Sequence, residues 1–171
     1  MRVYVPTTLN ALAHAHTDGT LGTAPLRAYA VTPALREWYL SDDIEELEYA
    51  ALVRAAQASL RLIAADAKAP RRRVVVALDV PDQAVALQVD AEHADASALG
   101  AVTLTQPQQL AKAAAVHADA DDADVRDDVS AAADAVSAAD AGDEDARFTV
   151  DGAEDHELLW FATQEIPSLL S

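Results

Sequence analysis

Arg71-Arg72-Arg73-Val74-Val75-Val76-Ala77-Leu78-Asp79-Val80-Pro81-Asp82 is the stretch on which the fold turns. From Val74 to Val80 only Asp79 is polar. A strand with one wet face alternates apolar and polar side chains, whereas a continuous apolar run marks a central strand covered on both faces. Pro81-Asp82 ends it.

Upstream lies the longest predicted helix, about residues 42–66. Ser41-Asp42-Asp43 punctuates its start. Ile44, Leu47, Ala51, Ala55, Ala58 and Leu62 follow helical spacing, and so do Tyr49, Leu52, Val53, Ala56, Leu60 and Ile63. So wide an apolar face predicts burial on more than one side. Asp42, Asp43, Glu45, Glu46 and Glu48 come first and Arg54, Arg61 and Lys68 later, which complements the helix macrodipole. Nearer the N-terminus, Val3-Tyr4-Val5 and Ala28 to Val31 read as strands. Thr7 or Thr8 can cap a helix carrying Leu9 and Leu12, stopped by His14, His16, Asp18 and Gly19. Thr32-Pro33 supplies an N-cap followed by proline at the first helical position, opening a helix through Leu40.

Downstream, residues 85–89 read as a weaker strand, 90–98 as a loop and Ala101 to Leu104 as a strand. A helical turn follows Thr105-Gln106-Pro107 through Leu110, then a strand over 113–118. Residues 119–147 are nearly all Ala, Asp, Val, Ser and Glu. Val125, Val129, Ala132 and Val136 make a narrow helical stripe there, with Gly142 as its stop. The segment predicts a surface helix, then a frayed acidic loop over 141–153. Leu158 to Ala162 reads as a last strand, and Thr163 opens a terminal turn with Ile166, Leu169 and Leu170. The fold class expected is α/β (or α+β): one domain over 1–171, a layered sandwich with a mixed sheet of about five to six strands, carrying an acidic Ala/Asp segment at 119–153.

The chain has 171 residues and a net charge of −17. A domain this long buries roughly 70% of its unfolded surface. Residues 1–73 hold 9 Lys+Arg and 8 Asp+Glu, whereas 74–171 hold 3 and 21, so the excess lies in the second part. That charge argues against nucleic acid or anionic membrane as partner, because phosphate is repelled. No apolar stretch approaches the ~20 residues that span a bilayer. Pro6, Asn10, His14 and His16 interrupt the apolar run that a signal peptide needs, so none is expected. The absence of Cys excludes disulfides and thiolate chemistry, and a cytoplasmic location is expected. Two Lys against 10 Arg, with 41 Ala, also fit a GC-rich coding sequence. The aromatic residues cluster in 4–49 and 148–161, so the two ends of the chain are expected to meet in one core.

Met1-Arg2-Val3-Tyr4-Val5-Pro6, Ala30-Val31-Thr32-Pro33-Ala34-Leu35-Arg36-Glu37-Trp38-Tyr39, Glu45-Glu46-Leu47-Glu48-Tyr49-Ala50-Ala51, Arg72 to Ala77 with Asp79-Val80-Pro81-Asp82, and Leu158-Leu159-Trp160 resemble blocks of an uncharacterised family of small actinobacterial proteins. The resemblance implies no activity, cofactor or catalytic residue.

Candidate chemistry is sparse. Glu37, Asp42, Asp43, Glu45, Glu46 and Glu48 include carboxylates at helical spacing that can share a cation, but a dipole-favoured helix start explains them. His117 and Asp119 share one strand face, as an acid–base pair requires. No second His stands at helical spacing from His156, and neither His14 and His16 nor His93 completes a metal motif. The Asp run from Asp119 to Asp128 lacks the glycine and terminal glutamate of a calcium loop. Arg71, Arg72 and Arg73 can meet an anion or the acidic half of the same chain. With 5 Gly there is no Gly-rich phosphate cradle. Thr7, Thr32, Thr105 and Thr163 each follow a strand, and their helix starts can gather N–H groups around an anion. Trp38 with Tyr39, and Trp160 with Phe161, are partner-facing anchors or core.

Two functions follow as expectations. The first is a non-enzymatic cytoplasmic protein-interaction or regulatory module, with self-association or an unidentified protein partner, anchored by Trp38 and Tyr39. The second is a small-molecule- or anion-binding protein, or small enzyme, whose pocket lies at the Thr-capped strand ends, with Glu37, Asp79 and His117 as polar groups. No cofactor or metal is expected.

Overall fold

A computed structural model describes residues 1–87 and 98–171. Val89, His93 and most of the loop expected over 90–98 lie outside the described residues. Along the chain come β1 (Arg2–Thr8), α1 (Leu9–Asp18), β2 (Thr20–Leu21), β3 (Leu26–Ala30), α2 (Pro33–Tyr39), α3 (Ile44–Ala65), β4 (Arg73–Asp79), β5 (Val85–Leu87), β6 (Ala101–Leu104), β7 (Gln108–Gln109), β8 (Ala115–Ala118), α4 (Ala123–Asp140), α5 (Glu144–Gly152), β9 (Leu159–Phe161) and α6 (Ile166–Leu170).

β4 pairs with β1 along its whole length, Arg2 opposite Asp79 and Thr8 opposite Arg73. Val74, Val75, Val76 and Ala77 are fully buried, as the apolar run predicts. The sheet has seven strands in the order β5-β6-β3-β1-β4-β8-β9. Every neighbouring pair is antiparallel. This corrects the mixed sheet of five to six strands. The alternation of strand and helix from β3 through α3 to β4 suggests parallel neighbours. β3 and β4 do run the same way, but β1 occupies the slot between them and opposes both. β2 and β7 form a separate two-stranded ribbon.

Successive side chains of a strand point to opposite faces, so the buried strands feed two clusters. On one face Val3, Val5, Val74, Val76 and Leu78 pack with Leu12 of α1 and Ile166 and Leu169 of α6. On the other, Tyr4, Tyr29, Val75 and Ala77 lie with Leu35 of α2 and with Ala50, Ala51, Ala55 and Ala56 of α3. Farther along α3, Leu60 and Ile63 meet Val129, Ala132, Ala133 and Val136 of α4. The wide apolar face of α3 is thus used twice, once on the sheet and once on a helix.

The ends of the helices are set locally. Thr8, rather than Thr7, caps α1 by accepting from the Ala11 N–H. Thr32 caps α2, with Pro33 at the first helical position. Asp43 accepts from Glu45 N and Glu46 N, which explains the acidic start of α3 without a cation. Gly142 adopts φ +99° after α4. Asp143 then caps α5, so the acidic loop expected over 141–153 is mostly helix. Half-buried Val150 and buried Ala153 join α5 and the turn after it to the third cluster. The aromatic residues also depart from expectation. Trp38, Phe148 and Trp160 are 60%, 82% and 62% exposed, so the core is Val, Leu and Ala with Tyr4 and Tyr29. The two ends of the chain share one core cluster, Val3 and Val5 with Ile166 and Leu169, while β1 and β9 lie in one sheet with β4 and β8 between them. Among the described residues no helix is long and apolar enough to cross a membrane.

Candidate functional site

On the α3 side of the sheet, α3, strands β3 and β6, and the α4–α5 hairpin enclose a cleft of about 360 Å³. Its apolar wall is made of small side chains, among them Ala58, Ala101, Val136 and Val150. Its polar part is dominated by arginine: Arg27 from β3, Arg54 and Arg61 from α3, and Arg147 from α5. Arg54, Ala58 and Arg61 share a helix face because they stand four and three apart. Arg27 and Tyr29 share a strand face because they stand two apart.

The carboxylates in the cleft are partly committed. Asp140 accepts from Arg61 Nη1 and Nη2 at 2.8 and 2.9 Å. That hydrogen bonding holds the Asp140 carboxyl below the usual range. Glu154 accepts from Gln57 Nε2 at 2.6 Å. Tyr29 is 5% exposed, and its hydroxyl has no hydrogen-bond partner among the described residues. No sealed side-chain polar atom lacks a partner among these residues, so this hydroxyl opens on the cleft. The guanidiniums of Arg27 and Arg147 also form no hydrogen bond among the described residues. Arg73 underlies the cleft and is itself satisfied by Asp119.

Asp79 and His117 belong to a different cluster, organised by Arg2. Arg2 Nε and Nη2 donate to Asp79 at 2.7 and 3.0 Å and keep its carboxyl ionised to lower pH than usual. The Tyr4 hydroxyl donates to Glu48 at 3.2 Å. Burial, reinforced by the Glu48 charge, pushes the Tyr4 phenol up to about 12. The His117 ring meets the Tyr4 ring edge-on, centroids 6.2 Å apart. Burial, with the Arg2 charge, lowers its pKa. Both carboxylates of this cluster are therefore engaged, one by a guanidinium and one by a phenol. Glu37 is exposed on α2, and its side chain makes no hydrogen bond or ion pair among the described residues. The trio Glu37, Asp79 and His117 is not assembled.

Nor do the four threonines converge. β1 and β6 run one way while β3 and β9 run the other, so Thr7 and Thr105 fall at one end of the sheet and Thr32 and Thr163 at the opposite end. Thr105 and Thr163 turn their hydroxyls to the carbonyls of Ala84 and Ala113, at 3.3 and 2.7 Å. Thr7 borders a separate shallow depression with His14 and Asp18. Trp38 and Tyr39 lie on the surface of α2. His156 pairs with Asp128 at 2.7 Å. Among the described residues no three His, Asp or Glu are placed to hold a metal ion.

A model of a family of unknown function, DUF6912, matches residues 1–170. The chain belongs to this family. No curated protein and no solved structure matches it. In this DUF6912 chain, reading along the sequence misses the arginines of the cleft because 120 positions separate Arg27 from Arg147. Two signals were present. Arg54 and Arg61 stand two helical turns apart, and Arg147 is one of 3 Lys+Arg after residue 73. The dense triplet served another purpose: Arg71, Arg72 and Arg73 bond to Asp134, the Asp119 carbonyl and the Asp119 carboxylate.

Proposed function

We propose that this protein is a non-enzymatic binding protein for a small organic anion, held in the arginine-lined cleft. The observation that carries the reading is convergence: Arg27, Arg54, Arg61 and Arg147 come from three elements to one cleft in a chain of net charge −17. Guanidinium is weakly hydrated, and its planar fork matches carboxylate and phosphate oxygens. The volume sits at the lower end of the range for small-molecule pockets, and the Ala and Val wall suits an apolar ligand body. Of the cleft carboxylates, Asp140 and Glu154 are hydrogen-bonded to Arg61 and Gln57, whereas Asp151 carries no side-chain hydrogen bond among the described residues. A chain without Cys suits the reducing cytoplasm, where this reading places it.

Calorimetric titration of the purified chain with a panel of small carboxylates, sulfonates and phosphates tests the reading. Saturable binding that weakens with added salt, and is lost in the Arg27→Ala/Arg147→Ala double variant, is the expected result. Failure of every anion to bind the unaltered chain would sink it.

A second reading, self-association or a protein partner, is favoured by the edge strand β9. Leu159 and Trp160 are 48% and 62% exposed there, beside a backbone edge that no strand covers among the described residues. Exposed edges of this kind are docking templates. Light scattering coupled to size exclusion should then show a species larger than 18 kDa that Trp160→Lys dissociates.

A further inference from the structure

Resting on the anion-binding reading, we propose that the ligand is a phosphomonoester, its phosphate taken by Arg27, Tyr29 and Arg147 and its organic part by the small apolar wall. The inference turns on Tyr29. A buried hydroxyl normally finds a protein partner. Tyr29 as a whole residue is only 5% exposed, and its hydroxyl, without a hydrogen-bond partner among the described residues, opens on the cleft instead. Arg27 stands beside it on the same face of β3, and Arg147 borders the cleft from α5. All three therefore offer donors that the described protein does not use.

A carboxylate has two oxygens in one plane, and a single guanidinium fork occupies both. A phosphomonoester has three terminal oxygens in a tetrahedral array. It can accept a fork from one arginine, a second guanidinium from another direction and a phenolic O–H, all at once. Its charge of about −1.5 to −2 near neutral pH also calls for more than one guanidinium. The ester oxygen carries an organic group, for which Ala58, Ala101, Val136 and Val150 provide a surface that inorganic phosphate leaves unused.

Three probes separate the possibilities in calorimetry on the full chain: phenyl phosphate, benzoate and inorganic phosphate. Phenyl phosphate should bind about tenfold more tightly than either of the others. Tyr29→Phe should weaken phenyl phosphate about fivefold, the worth of one hydrogen bond, while benzoate affinity stays the same. Arg27→Ala, at an exposed position, should weaken it at least as much, and an unchanged thermal midpoint checks that each variant is folded. Benzoate binding as tightly as phenyl phosphate, or indifference of phenyl phosphate to Tyr29→Phe, overturns the phosphomonoester inference and leaves anion binding standing. Inorganic phosphate equal to phenyl phosphate overturns the ester part. No binding by any probe overturns both readings.

Discussion

Arg73 and Asp119 form an ion pair in which the side chains are only 4% and 1% exposed. Arg73 Nη2 and Nε donate to the two Asp119 oxygens at 2.7 and 3.0 Å, and the Arg73 backbone N–H adds a third bond at 2.8 Å. Arg73 Nη2 also donates to the His156 carbonyl at 2.8 Å. One side chain thus ties the start of β4 to the residue after β8 and to the segment entering β9, beneath the cleft.

Removing one member leaves a buried charge without its partner. Asp119→Ala should destabilise the protein by about 3–5 kcal/mol, whereas Arg73→Met with Asp119→Leu should recover most of the loss. Urea unfolding of the three proteins at neutral pH checks this. A single variant within experimental error of the unaltered chain would show that the pair is not buried as described.

Ser59 couples α3 to the sheet. Its hydroxyl donates to the Thr7 carbonyl at 2.7 Å and accepts from the Val74 N–H at 3.0 Å. Ser59→Ala improves helix propensity but strips a fully buried N–H of this partner. The expected net effect is a loss of about 1–3 kcal/mol in chemical denaturation.

Gly100 and Gly19 offer a matched pair. Both have positive φ, +81° and +84°. A Cβ at Gly100 would stand 2.9 Å from the Ala30 carbonyl oxygen, whereas at Gly19 it meets nothing within 4 Å. Gly19→Ala should therefore cost about 1 kcal/mol, the left-handed penalty alone. Gly100→Ala should cost distinctly more, because backbone must also move. Equal shifts in thermal midpoint would contradict the close approach.

The Arg2 cluster gives the stability a pH dependence at both ends. His117 has a folded pKa below 6.5, so the unfolded chain takes up its proton first. Its contribution is present above 6.5 and is lost as the pH falls through the folded value. Tyr4 works oppositely: raised from 10 to about 12, it contributes below pH 10 and stops contributing as the pH rises to 12. Thermal midpoints measured from pH 7.5 to 5 should fall less steeply for His117→Phe than for the unaltered chain. Phenolate absorbance should show a tyrosine ionising near pH 12 that is absent in Tyr4→Phe, while the rise at Tyr49, caused by burial and its Glu157 hydrogen bond, remains.

Helix starts and strand cores were legible along the chain because their causes are local. Thr32-Pro33, Asp43 and Gly142 act within four residues, and the run from Val74 needs no partner to announce a covered strand. The cap at Asp143 is equally local, yet the sequence predicts loop over α5 because Ala and Asp repeat so densely around it that no apolar stripe stands out. The candidate site was not legible at all. The sequence offers Asp79 and His117 as polar groups of a pocket, but Arg2, 77 positions from Asp79, engages the one, and burial, with the Arg2 charge, lowers the pKa of the other.

Capping chemistry, hydrophobic period and charge therefore settle which segments are helix or strand, what the chain repels and roughly where each element stops, since all of these act over a few residues. Strand order is a different kind of quantity. Nothing near β3 or β4 says that β1 will lie between them; that follows from which pairing buries the most apolar surface across the whole chain. The same long-range choice sends Thr7 and Thr32 to opposite ends of the sheet and brings Arg27 and Arg147 to one cleft.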